Sequence, residues 1–301
     1  MPISSLLTRK RSVQLLTLAG VSAALLVAGC TQLATKEREL VFRIEPGEAR
    51  WFSGMPEGVQ DLHLPVQHEG KPAHIHALWW PAKNPHAPAV LYLHGARWNL
   101  TGQMFRIEQL HDFGFSVLAV DYRGFGKSDG DLPSEQTVYE DARIAWQQMS
   151  ALQPDPKRRY IYGHSLGSAV AVDLAAELSQ EAAETPVMRG LIVESSFTTL
   201  ADIARALSYT WLPVQLLLSQ KFDSAAKIAK VRVPTLFVHG TGDRYVPPRF
   251  SQALYDLATA PKKLLLVEGA THNNSMRMGS VEYRRAMAEL FGLGERQLSA
   301  T

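Results

Sequence analysis

The pentapeptide Gly163-His-Ser-Leu-Gly167 is the part of the chain whose residue types most directly suggest chemistry. It lies between Arg159–Tyr162, a β-branched and aromatic run that predicts a strand, and residues 168–178, whose pattern predicts a helix. Glycines on both sides of Ser165 would let the chain turn so tightly that the serine hydroxyl stands clear of both elements. Such a hydroxyl can act as a nucleophile if a base lies within hydrogen-bonding reach.

Two later loops offer the base and an acid to orient it. Asp243 comes after the apolar run Thr235–Val238, and His272 comes after Lys263–Val267. His272 would take the proton of Ser165 and later return it to the leaving group. Asp243 would fix the tautomer of the imidazole and stabilise the imidazolium.

These three residues can meet only if a sheet brings the ends of their strands together. Short apolar runs alternate with amphipathic helical patterns from about residue 89, which predicts an α/β fold with a parallel sheet covered on both faces. Functional residues of such sheets gather at the carboxyl ends of the strands. The core strands are predicted at Ala89–Leu93, Ser116–Val120, Arg159–Tyr162, Gly190–Val193, Thr235–Val238 and Lys263–Val267. Earlier extended runs are predicted at Leu40–Ile44, Val59–Leu64 and Ala73–Trp80, and helices at Met104–Phe113, Val138–Leu152, Arg249–Ala258 and Val281–Phe291.

The order serine, aspartate, histidine, with gaps of 78 and 29 residues, is that of the α/β-hydrolases. From about residue 46 to 292 the chain resembles that superfamily. Further matches are Leu93-His-Gly95, Asp121–Ser128 and Gly240–Pro247. The resemblance implies an α/β-hydrolase fold, with a mostly parallel central sheet, helices on both faces and a small cap.

The resemblance also implies where an oxyanion would be stabilised. One backbone donor is the N–H of Leu166, directly after the nucleophile, and the other is the N–H of Ala96, after His94-Gly95. Asp121 and Glu194 also end strands and stay open as alternatives to Asp243 for the acid.

The cap is predicted at about residues 197–232, and a cap of this length would leave the pocket fairly open. Trp211 and Leu212 lie within it and could grip an acyl chain, or could belong to a helix packed on the sheet. Arg97 and Trp98 follow the oxyanion loop and are expected to line the mouth of the pocket, unless they serve only the structure of the loop.

This short-capped pattern resembles the branch with thioesterase-like and serine-aminopeptidase-like members, which implies hydrolysis of an ester, a thioester or, less often, a peptide bond. A small-molecule or acyl ester substrate is therefore expected. Asp202 and Asp223 are the only acids in residues 195–233, which argues against a peptidase that must bind an amino terminus. A non-catalytic binding protein of the cell envelope is the third interpretation. No cofactor and no metal site are predicted, because His74 and His76 share a strand face but no third ligand has suitable spacing.

The first thirty residues resemble a bacterial lipoprotein signal. Basic residues at 9–11 precede an apolar stretch, Val13–Val27, and Val27-Ala-Gly-Cys30 follows the pattern of a lipobox. The resemblance implies that Cys30 is lipidated, and Thr31 implies the periplasmic face of the outer membrane. An uncleaved membrane helix is the alternative. The predicted organisation is a signal peptide at 1–29, a tether at 30–45 and a hydrolase domain at 46–295.

Charge gives no support for nucleic-acid binding. The whole chain carries 31 basic and 29 acidic residues, a net charge of +2. Residues 1–29 contribute three basic and no acidic residues, so the remainder has 28 basic and 29 acidic residues and no basic cluster with interleaved aromatics. We expect a membrane as partner through the lipid, and the sequence predicts no oligomeric state.

Overall fold

A computed structural model describes residues 28–182, 185–207 and 218–294 of the chain. These residues form one eight-stranded sheet. Its strands are β1 (Gln60–His68), β2 (Lys71–Trp80), β3 (Ala89–Leu93), β4 (Ser116–Val120), β5 (Arg159–His164), β6 (Gly190–Glu194), β7 (Thr235–Gly240) and β8 (Lys262–Val267). Each of the six core strands predicted from the sequence is present, with ends that differ by no more than two residues.

The sheet is mostly parallel. Its order is β1-β2-β4-β3-β5-β6-β7-β8, and β1 and β2 are the antiparallel strands at one edge. From β4 onward all neighbours run in parallel. Every residue of β3, β4, β6 and β7 is buried, as expected of continuous apolar strands covered on both faces. The predicted α/β-hydrolase architecture is therefore confirmed.

Helices cover both faces of the sheet. They are α1 (residues 28–42), α2 (Leu100–Asp112), α3 (Glu135–Leu152), α4 (Leu166–Glu181), α5 (Leu200–Leu207), α6 (Ser224–Ile228), α7 (Arg249–Leu257), α8 (Ser275–Met278) and α9 (Ser280–Phe291). Apolar residues of α3, α4 and α7 form the core on one face, and those of α2 and α9 form it on the other. The carboxyl ends of the parallel strands meet at one edge between these layers.

The segment before the sheet differs from the sequence prediction. The extended run predicted at Leu40–Ile44 is wrong through residue 42, because α1 continues to that point. Phe42, at the end of α1, is fully buried, and Glu37 is 8% exposed. The residues interpreted as a tether thus include a helix that packs against the rest of the fold, since its inner face carries these two side chains.

Two predicted features fall partly outside the described residues. The signal segment at 1–27 lies outside them, while Cys30 is within α1 and exposed. Within the described ranges, no helix has the length and hydropathy needed to cross a bilayer. Trp211 and Leu212 of the predicted cap also lie outside, although α5 and α6 on either side of that segment are described.

Candidate active site

Ser165 occupies the sharp turn between β5 and α4. Its backbone angles are φ 54° and ψ −122°, a region that a residue with a side chain rarely adopts. A Cβ added to Gly163 would overlap the backbone of α4, and one added to Gly167 would overlap the carbonyl oxygens of Leu93 and His94. The two glycines therefore permit close packing of α4 against the strand ends, and this packing holds Ser165 in its strained conformation.

His272 and Asp243 are brought together by the loops after β8 and β7. His272 Nδ1 lies 2.7 Å from Asp243 Oδ2, a hydrogen-bonding distance. The carboxylate is fully buried and the imidazole is 12% exposed. With Nδ1 engaged by the acid, Nε2 is the nitrogen left to act as a base toward a hydroxyl.

Both oxygens of Asp243 are fixed by several donors. Oδ1 accepts the backbone N–H groups of Tyr245 and Val246, each at 2.9 Å, and Oδ2 also lies 3.2 Å from His239 Nε2. Burial alone would raise the pKa of Asp243, but hydrogen bonds from His239, His272 and the Val246 N–H outweigh it and hold this pKa well below its ordinary value. Asp243 is therefore a carboxylate at neutral pH.

Buried side chains donate hydrogen bonds to backbone carbonyls of the His272 loop. His164 Nε2 donates to the His272 carbonyl at 2.8 Å, because a carbonyl oxygen can only accept. Arg106 donates to the carbonyl of Asn273 at 3.4 Å, and Ser195 Oγ donates to that of His272 at 3.4 Å. Burial, with the nearby charges of Arg106 and His272, lowers the pKa of His164 well below its ordinary value, so this imidazole is neutral.

Arg106 and Glu194 form a buried ion pair near the site, and the sequence alone did not predict this pair. Their side chains are 1% and 0% exposed, and Arg106 Nη2 lies 3.6 Å from Glu194 Oε1. Glu194 Oε2 also accepts the hydroxyls of Tyr162 at 2.8 Å and Tyr283 at 3.2 Å. The position of Glu194 at the end of β6 was a visible signal, but it was interpreted as an alternative catalytic acid.

Neither alternative acid reaches the imidazole. Asp121 accepts the Leu100 N–H at 2.9 Å and lies 3.3 Å from His76 Nδ1, while Glu194 is engaged by the two tyrosines. Among the hydrogen bonds of the described residues, only Asp243 provides a carboxylate to His272. This geometry favours Asp243 as the orienting acid.

The loop after β3 lies directly against Ser165. A Cβ placed on Gly95 would be 3.1 Å from the Cβ of Ser165, so the next residue, Ala96, lies close to the serine. Leu166 is the first residue of α4, and its N–H has no carbonyl one turn earlier to bond. Both predicted oxyanion donors thus belong to segments that flank Ser165.

The hydroxyl of Ser165 and the imidazole of His272 are on neighbouring loops. His164, which precedes Ser165, has its ring 4.9 Å from that of His272. The described residues include no hydrogen bond between Ser165 and His272 themselves. Catalytic hydrogen bonds of this kind often tighten only once substrate is bound.

Aromatic contacts occur in the segment after the Gly95 loop and beside His272. Trp98 packs edge-on against Trp51, with ring centroids 4.9 Å apart, and Arg97 is exposed and pairs with Glu45 at 3.5 Å. Tyr245 is 63% exposed, and its ring centroid lies 5.7 Å from that of His272. Tyr245 was not predicted as a site residue, although it lies only two positions after Asp243.

Comparison of the sequence with known proteins gives one family and several relatives. Residues 84–224 match the family model described as serine aminopeptidase, S33. An uncharacterized protein of Mycobacterium tuberculosis is 39% identical over 191 residues, which are 62% of this chain and 63% of that protein. YfhR of Escherichia coli K12 is 31% identical over 69% of this chain and 71% of its own length. The lysophosphatidylserine lipase ABHD12 of Danio rerio is 33% identical over 59% of this chain, but the match spans only 49% of that lipase.

Solved structures of low sequence identity share the fold. The Pyrococcus furiosus esterase Pf2001 superposes with a TM-score of 0.62 at 18% identity, over 82% of this chain and 100% of the esterase. A puromycin-hydrolyzing peptidase of M. tuberculosis superposes with a TM-score of 0.58 at 21% identity, over 80% of this chain and 40% of the peptidase. The sheet order, the strained turn at Ser165 and the match to YfhR over more than two thirds of both chains agree, and the chain belongs to the α/β-hydrolase superfamily.

Proposed function

We propose that this protein is a serine hydrolase that cleaves carboxylic ester or thioester bonds through an acyl-enzyme, and that a lipid on Cys30 holds it at the cell envelope. The observation that carries the catalytic part is the 2.7 Å contact between a buried, ionised Asp243 and His272 Nδ1, beside a serine held in a strained turn. That arrangement leaves His272 Nε2 free of the acid and able to act as a base toward Ser165.

The reaction proceeds in two halves. His272 takes the proton of Ser165 as the serine oxygen attacks the substrate carbonyl, and Asp243 stabilises the imidazolium that forms. The backbone N–H groups of Ala96 and Leu166 stabilise the oxyanion. Collapse of the tetrahedral intermediate expels the alcohol or thiol, which receives the proton from His272. Water then attacks the acyl-serine by the same route and releases the acid.

Ester or thioester cleavage is favoured over peptide cleavage by the acids near the cap. Asp202 accepts the hydroxyl of Thr198 at 2.6 Å and pairs with Arg205 at 3.0 Å, and Asp223 accepts the Ala226 N–H at the start of α6. Both aspartates are therefore occupied in stabilising local structure. The relatives include a lipase and the fold neighbours include an esterase, which agrees with this choice.

A peptidase is the second candidate, because the matched family model is described as a serine aminopeptidase and one structural neighbour is a peptidase. A panel of p-nitrophenyl esters from two to sixteen carbons, acyl-CoA thioesters and aminoacyl p-nitroanilides separates the two. We expect turnover of esters or thioesters, with a dependence on chain length, and little on anilides. Faster cleavage of the anilides than of every ester would favour the peptidase. No turnover of any substrate would favour the non-catalytic binding protein.

The proposed location is the periplasmic face of the outer membrane. Cys30 is exposed at the start of the described chain and is the only cysteine present. It therefore has no partner for an internal disulfide, and its thiol is accessible to the lipid-transfer chemistry that the lipobox pattern implies.

A further inference from the structure

Helix α1 lies outside the region matched by the family model, yet it contacts three segments around the candidate site. It precedes residues 84–224 and also the hydrolase domain predicted to begin at residue 46. Its inner face is formed by Glu37, Arg38, Val41 and Phe42, two adjacent pairs four residues apart, as on one side of a helix. Together these residues reach the loop after β3, the loop after β4 and residues 218–222.

The first contact is with the oxyanion loop. The Phe42 carbonyl accepts the N–H of Arg97 at 2.8 Å. Arg97 has φ 80°, a left-handed conformation that costs a residue with a side chain roughly 1 kcal/mol or more and persists only when neighbours enforce it. Ala96, whose N–H is the proposed oxyanion donor, directly precedes Arg97. The orientation of that donor therefore depends on the hydrogen bond that the Arg97 N–H donates to the Phe42 carbonyl.

The second contact fixes the position of Phe42 itself. Its ring is fully buried and packs edge-on against Phe125, from the loop after β4, and Phe222, with ring centroids 6.4 and 6.1 Å away. Aromatic pairs in this geometry are favourable beyond the area that they bury. The end of α1 is thus anchored in the core cluster on the same side as Ser165.

The third contact holds the base of the cap, which we define as residues 218–222. Glu37 Oε2 accepts the N–H and the hydroxyl of Ser219 at 2.8 and 2.6 Å, and Glu37 Oε1 accepts the N–H of Gln220 at 2.8 Å. Arg38 also donates to the carbonyl of Leu132 at 3.2 Å. One buried carboxylate therefore fixes the backbone of the cap base.

We propose that α1 is a positioning element of the active site: Phe42 aligns the oxyanion loop and Glu37 holds the cap base. This inference rests on the proposed function, because it assigns these residues a part in serine-ester hydrolysis. It also changes how a lipid anchor would act. The 13 residues from Cys30 to Phe42 are helical, and the 12 rises between them span about 18 Å at 1.5 Å each, so a helix rather than an extended linker would join the anchor to the site.

The test compares full-length Phe42→Ala, Phe42→Leu and Glu37→Gln proteins with the wild type. Glu39→Gln is the matched control, because Glu39 is on the exposed side of α1 and, among the described contacts, its side chain pairs only with Lys36. The concentration of active sites is titrated with a fluorophosphonate. KM for a p-nitrophenyl ester is then measured, and kcat is calculated per titrated site. The affinity of a trifluoromethyl ketone, which forms an oxyanion on Ser165, is measured beside them.

We expect Phe42→Ala to lower kcat per titrated site by about tenfold or more, since complete loss of one oxyanion donor costs on the order of 10²–10³. Its affinity for the ketone should fall in parallel while KM changes less, and Phe42→Leu should recover part of the loss. Glu37→Gln, which keeps the side-chain volume but removes one acceptor oxygen, should raise KM through the cap base. A purely structural role would lower the titrated fraction and leave these constants unchanged.

The inference is overturned if Phe42→Ala and Glu37→Gln match Glu39→Gln in kcat, KM and ketone affinity per titrated site. Should Phe42→Ala fail to fold, Phe42→Leu and Glu37→Gln decide the matter by the same constants. Failure of the proposed function has a different signature, because the wild type itself would then neither react with the fluorophosphonate nor turn over the ester. In that case the positioning role falls with it.

Discussion

Asp243 is the candidate site residue whose side chain is held by the largest number of contacts. Its Oδ1 is occupied by two backbone N–H groups, and its Oδ2 faces His272 and His239. The carboxylate cannot rotate without losing several hydrogen bonds, so it presents a fixed acceptor to His272 Nδ1. An orienting acid needs this fixed direction more than it needs proton affinity.

Asp243→Asn tests that role. The amide group would place its NH₂ either against the backbone donors or against His272, and the second placement favours the wrong tautomer of the imidazole. We expect kcat to fall by on the order of 10⁴ with KM little changed. Steady-state kinetics per titrated site measure this, with circular dichroism to verify folding. A kcat within tenfold of the wild type would contradict the assignment.

The sequence predicted the three catalytic candidates because each lies in the turn or loop after a strand that is visible as an apolar run. It did not predict the functions of Arg106 and His164. A charged residue in an amphipathic helix is normally solvated, and only the packing of α2 against the sheet buries Arg106 beside Glu194. Likewise, nothing local indicates that His164 donates to a carbonyl 108 residues later.

At the scale of elements, the core strands were predictable and the starts of some helices were not. Helix α2 begins four residues before its predicted start because the Asn99 side chain accepts the Thr101 N–H, and α3 begins three residues early through a capping box at Ser134. Local composition does carry a signal for α1, because residues 32–40 are rich in the helix formers Leu, Ala, Lys, Glu and Arg. The interpretation as a tether overlooked that signal, whereas the docking of α1 through Phe42 and Glu37 depends on distant loops that no local pattern shows.

The edge strands β1 and β2 carry a buried titratable contact that should make stability depend on pH. His76 is 2% exposed and lies between Asp61 of β1 and Asp121 after β4. Burial alone would lower the pKa of His76, but the hydrogen bonds and charges of Asp121 and Asp61 outweigh it and raise this pKa above its ordinary value. The folded state therefore binds the proton more tightly than the unfolded state.

Stability from His76 should accordingly be fully present below the unfolded pKa, about 6.5, and be lost as pH rises through the higher folded pKa. Urea denaturation from pH 5.5 to 9 should show a decline in the free energy of unfolding that His76→Gln removes. His86→Gln is the control, because His86 is exposed in the turn before β3, outside the contacts given for His76, and should keep the decline. An unchanged pH dependence in His76→Gln would contradict the linkage.

At the scale of the whole molecule, the described fold and the proposed anchor meet in α1. The helix begins beside the exposed Cys30 and ends at the oxyanion loop, so a lipid would hold the catalytic edge at a fixed distance from the bilayer. The sequence could suggest this anchor, since the lipobox pattern is local. It could not show that the following residues are docked, because docking depends on tertiary contacts.

Two neighbouring substitutions test the anchor in cells. Cys30→Ala should abolish incorporation of labelled palmitate and remove the protein from the outer-membrane fraction. Thr31→Asp should keep lipidation but shift the protein to the inner membrane on a sucrose gradient. Palmitate incorporation that persists in Cys30→Ala would exclude lipidation at this cysteine. Wild-type protein already in the inner membrane would contradict the proposed location.

The most direct test of the account is where a fluorophosphonate attaches. We predict that the wild type gains one adduct by intact-protein mass spectrometry, that peptide mapping places it on Ser165, and that Ser165→Ala gains none. Ser53→Ala, which changes an exposed serine outside the turn between β5 and α4, should label at the wild-type rate. An adduct on any other residue, or equal labelling of Ser165→Ala, would contradict the assignment of Ser165 as the nucleophile.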